Sequence, residues 1–314
     1  MLNRRQLRIK VLQILYAYYQ SEHREMKDFE KELFFSIDKM YEMYLYLLLL
    51  VVEMQGRAID KIEAGLQKKL PAQEDLHPNT KFVTNTLMRA LANSKNLTKA
   101  LETSNISWAD NQDLIKRVFR ELIETEDYKA YMADDQRGFE HDKEFLLRFF
   151  KRHMINVEGI SEYFEEKSIF WNDDMDLMAG MVIKTIKIIP ENAKDIELLT
   201  LWKDKDDEHG FTTELFRQTI IQGEDNAKLI SEAAANWDME RIAITDMILM
   251  KMAIAEAKTM ESIPLKVTLN EYIELAKYYS TPKSNGFING VLDQLFAKLN
   301  DEKEIKKVGR GLIN

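Results

Sequence analysis

The chain of 314 residues contains no cysteine, so disulfide frameworks, thiolate nucleophiles and cysteine-based zinc sites are excluded together. A cysteine-free chain fits a reducing compartment, and the cytoplasm is the expected location. Proline and glycine are also scarce, at 5 and 11 residues. That is too few for the regular turns of a β-sandwich or barrel. The five prolines, Pro71, Pro78, Pro190, Pro264 and Pro282, fall between periodic apolar segments, where a missing N–H breaks no helical hydrogen bond. No apolar run reaches the roughly 20 residues that span a bilayer. The longest, Leu45 to Val52, is closed off by Glu42 and Glu53 and predicts a buried core helix. The first 20 residues resemble a secretory leader only in charge; amides and phenols interrupt their apolar part and no small-residue cleavage site follows.

What the chain does have is leucine, methionine, glutamate, lysine and alanine at spacings of three and four, the pattern of an all-α protein built from helical bundles. Helices are expected near 4–21, 26–68, 80–103, 109–132, 140–157, 158–168, 173–189, 192–205, 211–235, 239–259, 268–280 and 283–299. Ile242 to Ala255 is apolar on nearly every face, which predicts the central helix of a bundle. Asp246 stands out there. A buried acid needs a partner, either an internal one such as Arg241 or one on another protein. Thr268 and Glu271 have the spacing of a capping box, which predicts a helix start at Thr268 with Val267 stapled onto Tyr272. The expected division is 1–200, an extended helical region with a basic first helix; 201–300, a C-terminal bundle; and 301–314, a charged tail. Glu144–Arg148, Ile160–Glu162 and Trp171 echo Glu214–Arg217, Ile230–Glu232 and Trp237, consistent either with a degenerate duplication or with bundles reusing the same residues.

Catalytic chemistry finds little support. The five histidines are scattered without metal-ligand spacing, and no glycine-rich phosphate cradle occurs. Asp204 to Gly210 superficially resembles a calcium loop, but its glycine is one place late and Leu215 stands where a bidentate glutamate belongs. Adjacent carboxylates such as Glu165–Glu166 and Asp173–Asp174 diverge by about 100° on a helix. No cofactor, metal or enzymatic activity is expected.

Charge gives the functional clue. The net charge is −9, yet the first 20 residues carry Arg4, Arg5, Arg8 and Lys10 and no acid. Leu12, Leu15, Tyr16 and Tyr19 form a stripe that would anchor this helix to a core. Cations in a first turn oppose the helix dipole, so the cluster does not stabilise its own helix. Two readings stand on the residues alone: an external polyanion such as RNA, or ion pairing with the acidic remainder of the chain.

Arg4-Arg5 and Arg8 followed by Val11–Tyr16, the block Pro264–Lys277, the block Phe287–Asp293, and the stretch Trp237–Glu256 together resemble the NusB family. The resemblance covers about a third of the chain; residues 21 to about 200 match none of the pattern. It implies a non-enzymatic, all-helical transcription antitermination adaptor that binds single-stranded, boxA-type RNA of nascent ribosomal RNA together with the ribosomal protein NusE, in a complex with RNA polymerase. Carried over by position, Arg4, Arg5, Arg8 and Lys266 would meet phosphates, with Lys283, Phe287 and Asn289 along the same RNA. Tyr16 and Asp246 would face NusE, which favours the second reading of that acid. The competing reading is a helical protein-binding scaffold without RNA. A ribosomal-RNA methyltransferase with a similar domain is not expected, since neither a glycine-rich cofactor segment nor a cysteine nucleophile is present.

Overall fold

The computed structural model describes residues 2–153, 156–157, 159–235 and 242–312. Two residues of the sequence analysis, Trp237 and Arg241, lie outside them. All regular structure among the described residues is helical, with no strand. The α-helices are α1 (Arg4–Gln20), α2 (Met26–Leu66), α3 (Gln73–Leu76), α4 (Thr86–Ala92), α5 (Lys95–Thr103), α6 (Gln112–Glu124), α7 (Glu126–Ala133), α8 (Phe139–Arg152), α9 (Ile160–Lys167), α10 (Met175–Ile188), α11 (Lys205–Ile221), α12 (Gly223–Ala233), α13 (Ile244–Thr259), α14 (Leu265–Tyr279) and α15 (Ser284–Asp301).

The chain divides into two compact units, Met1–Ser36 with Trp202–Asn314, and Ile37–Leu201. This differs from the expected 1–200, 201–300 and 301–314: the first 36 residues belong with the C-terminal helices, and one boundary falls inside α2. The physical reason is the apolar face of α1. Leu7, Val11, Leu12, Ile14 and Leu15 are buried, and α1 packs on α11 and α13.

In the first unit α13 contacts α1, α11, α12, α14 and α15, as expected of a helix apolar on nearly every face. Its burial follows: Ile248, Leu249, Met250, Met252, Ala253, Ile254 and Ala255 are all at most 1% exposed. In the second unit α8 packs on α10, α4 and α7, and the middle of α2 is buried. Tyr44 and Leu45 to Leu48 are buried, Tyr44 Oη lies 2.7 Å from Thr185 Oγ1, and Trp108 Nε1 donates to the Tyr46 carbonyl.

Several expected helices break where a side chain competes for backbone groups. The 80–103 segment is split at Asn93–Ser94, and Ser94 Oγ accepts from Leu97 N–H at the start of α5. The 109–132 segment restarts at Thr125, whose Oγ1 accepts from Tyr128 N–H. The segment expected at 192–205 is irregular up to α11, and Asp195 there accepts from Ser94 Oγ and from the Asn96 and Ile196 amides. The repeated motifs fold alike in order. In each, a longer helix, a short helix and a methionine-rich helix follow one another, and the first packs on the third.

Candidate nucleic-acid interface

The basic cluster is mounted by α1 itself. Asn3 caps the helix, its Oδ1 accepting from the Arg5 and Gln6 amides at 2.9 and 3.1 Å while Gln6 Oε1 accepts from Asn3 N–H. This capping box satisfies the first orphan amides and fixes the turn that carries Arg4 and Arg5. No acid lies in that turn to offset the two cations.

All three arginines meet carboxylates of the same unit. Arg8 is 2% exposed, and its Nε and Nη2 donate to the two oxygens of Glu256, each at 2.7 Å. Glu256, fully buried, also accepts from Thr268 Oγ1 at 2.9 Å and Tyr272 Oη at 3.0 Å. The guanidinium lies 5.3 Å from the Phe211 ring centroid and 5.9 Å from that of Tyr272. Burial is the largest single influence and would lower the Arg8 pKa; the hydrogen bonds to Glu256 together with the charges of Glu256, Tyr272 and Glu271 outweigh it, and the value is raised. The Tyr272 phenol is pushed well up, first by burial and then by the neighbouring Glu256 charge. Arg8, expected to meet phosphate, thus has its Nε–Nη2 edge committed to Glu256 and is almost wholly buried, so it offers an external anion only a small part of its guanidinium.

Arg5 is exposed and forks onto Glu271, with Nε and Nη2 at 2.8 and 2.7 Å from the two oxygens. The Arg5 hydrogen bonds hold the Glu271 carboxyl below its ordinary value against a smaller opposing effect of burial. Arg4 is half-exposed, donates to Asp207 Oδ2 at 3.1 Å and lies 5.1 Å from the Phe211 centroid. Arg4, Arg5, Gln6 and the nearly buried Arg8 line an open cleft of about 700 Å³ with Pro264, Val267 and Glu271, and a smaller hollow beside Asp207 and Phe211 shares Arg4, Ser262 and Ile263 with it.

The α14 start differs from the expected capping box. The helix begins at Leu265 after Pro264, so Thr268 and Glu271 are internal to it. Their side chains serve Glu256 and Arg5 instead of the helix end, and Val267 is exposed while Tyr272 is buried. Lys266, in the first turn of α14, is exposed and makes no ion pair among the described residues.

The C-terminal loop residues lie elsewhere. Asp246, in the first turn of α13, is 4% exposed and accepts from Ser280 Oγ and from Ser284 Oγ, the latter at 2.7 Å. Thr281 Oγ1 and Ser284 Oγ are 2.7 Å apart. The carboxylate therefore ties down the α14–α15 turn that carries Lys283 and, at 4% exposure, offers little surface; the other expected partner, Arg241, lies outside the described residues. Hydroxyls of its own unit satisfy it. Lys283 and Asn289 are exposed and Phe287 half-buried. Because α13 meets the arginine cluster at Glu256 and this turn at Asp246, the two basic groups are about 15 Å apart along α13. Tyr16 is 42% exposed on the fourth turn of α1.

Sequence reasoning found the arginines and missed Glu256, Asp207 and Phe211. The signal for Glu256 was present, an acid one residue past the apolar run that ends at Ala255.

Residues 178–297 match the model of the NusB family. The chain is 44% identical over 103 residues to the transcription antitermination protein NusB of Salinibacter ruber (strain DSM 13855 / M31), covering 33% of this chain and 64% of that protein. It is 39% identical over 104 residues to the protein of the same name from Chloroherpeton thalassium (strain ATCC 35110 / GB-78), covering 33% and 49%, and 46% identical over 80 residues to that of Syntrophus aciditrophicus (strain SB), covering 24% and 50%. The matches thus span from about half to just under two thirds of these relatives' length. No solved structure matches. A cationic edge on α1, braced by a buried carboxylate of α13, thus sits in a chain whose residues 178–297 match the NusB-family model.

Proposed function

We propose that the chain is a non-enzymatic, cytoplasmic antitermination adaptor that binds single-stranded boxA-type RNA of nascent ribosomal transcripts together with NusE, in a complex with RNA polymerase. The observation that carries this reading is the pair Arg4 and Arg5, accessible at the mouth of a cleft and mounted on a capped helix end, in a chain with a NusB-family domain. Arginine forks suit phosphate oxygens, and an extended strand crossing α13 and α14 would next meet Lys266 and then Lys283, Phe287 and Asn289. Arg8 would support this surface without touching it. Tyr16, exposed farther along α1, is the residue offered to NusE.

One observation favours the scaffold reading: each of the three arginines already has a carboxylate partner in its own unit. Titrating labelled boxA-like and scrambled RNA into the full chain, with and without NusE, separates the two. The adaptor reading expects preference for the boxA-like sequence and tightening by NusE. Binding indifferent to both, or absent, would leave the scaffold.

A further inference from the structure

We infer that Asp207 and Glu271 set the affinity of the RNA site, each carboxylate occupying the place on Arg4 or Arg5 that a phosphate takes, so that RNA binds by displacing them. This rests on the RNA-binding reading above. The Arg5–Glu271 pair is a two-point fork with donor–acceptor distances of 2.8 and 2.7 Å, the geometry in which arginine also holds a phosphate. Arg4 reaches both Asp207 oxygens, at 3.1 and 3.5 Å. The arginine side chains remain 37% and 43% exposed, so an incoming anion can reach them.

The carboxylates around the cluster differ in how readily they leave. Glu256 cannot: it is sealed from water and holds Arg8, Thr268 and Tyr272. Glu271 can, because Arg8 Nη1 lies 3.6 Å from its Oε2 and remains a cationic neighbour when Arg5 turns away. Asp207 can as well. Its side chain is 59% exposed, and it sits in the first turn of α11, where the helix N-terminus favours negative charge. Neither release strands a buried charge. Each phosphate gained thus replaces a carboxylate instead of meeting a free cation, which weakens binding to any polyanion that brings charge alone. Salt weakens the internal competitor along with the RNA contact, so the penalty is greatest at low ionic strength.

The test is RNA binding by the full chain carrying Asp207→Asn, Glu271→Gln or both, using labelled single-stranded boxA-like RNA at about 50 and about 200 mM salt. Each substitution is expected to tighten binding roughly two- to fivefold at the lower salt and less at the higher. The gain from Asp207→Asn should vanish in an Arg4→Ala background, and that from Glu271→Gln in an Arg5→Ala background, because the competitor then has nothing to block. Gains that persist in those backgrounds, or their absence in a wild-type chain that binds RNA through its arginines, overturn the inference alone. If neither the wild type nor any carboxylate variant binds at either salt, the RNA reading falls and takes this inference with it.

Discussion

Glu256 in the first unit and Asp142 in the second are both carboxylates sealed from water, and they are satisfied differently. Glu256 meets a full positive charge in Arg8, plus two hydroxyls. Asp142 is held by neutral donors, Tyr131 Oη at 2.6 Å and the Thr86 amide and hydroxyl at 2.7 Å each. Lys81 stands close by, over the Tyr131 ring, but gives its ammonium to the Asp134 carbonyl. Burial, with the Asp142 hydrogen bond next, drives the Tyr131 phenol upward. The hydroxyl network closes on itself inside its unit. The ionic one continues outward, since Arg8 lies one turn from Arg4 and within reach of Glu271, the partner of Arg5. Each of these two buried acids is therefore a structural device, and of the two only the one paired with a cation is coupled to a candidate binding surface.

Removing the cation should break that comparison most severely. Arg8→Ala leaves Glu256 buried and unpaired, and urea unfolding should show a loss of about 3–5 kcal/mol. A loss below about 1 kcal/mol would mean that water reaches the site. Tyr131→Phe tests the neutral solution; one hydrogen bond to a carboxylate disappears, and about 1.5–3 kcal/mol should go with it in the same measurement. Asp246→Asn sits between the two designs. It keeps the shape but weakens two hydroxyl contacts, with an expected cost of about 1–2 kcal/mol and faster hydrogen exchange confined to the α14–α15 turn.

The smallest effect belongs to the surface pair. Glu271→Gln should cost less than about 1 kcal/mol at neutral pH. Because the folded-state pKa of Glu271 is depressed, its contribution is complete above the ordinary glutamate value and is lost as pH falls through the folded one. The stability gap between wild type and Glu271→Gln should accordingly close on acidification below about pH 4.3. A gap that stays constant into that range would assign it to packing.

Much of this was legible in the sequence, for reasons tied to particular residues. The helical class follows from periodicity, and the central position of α13 from an apolar surface that no solvent-facing helix could carry. Short-range rules were less reliable where a tertiary contact used the same atoms. Thr268 and Glu271 have the spacing of a helix cap, yet Glu256 and Arg5 claim their side chains. Asp246 was recognised as an acid in an apolar helix, but the serines that satisfy it lie 34 and 38 residues away, a pairing that no local pattern reveals. Arg4, Arg5 and Arg8 look equivalent in sequence, and only the packing of α1 on α13 separates the braced cation from the two exposed ones.

The central claim is that Arg4 and Arg5 are the RNA-facing cations and Arg8 their support. The most direct test is the dependence of RNA affinity on salt for the wild type and an Arg4→Ala/Arg5→Ala variant. Three or four phosphate contacts predict a log–log slope of roughly −2 to −3 on a single strand, and loss of two of them should make it shallower by about 1.4. An unchanged slope with unchanged affinity would contradict the account.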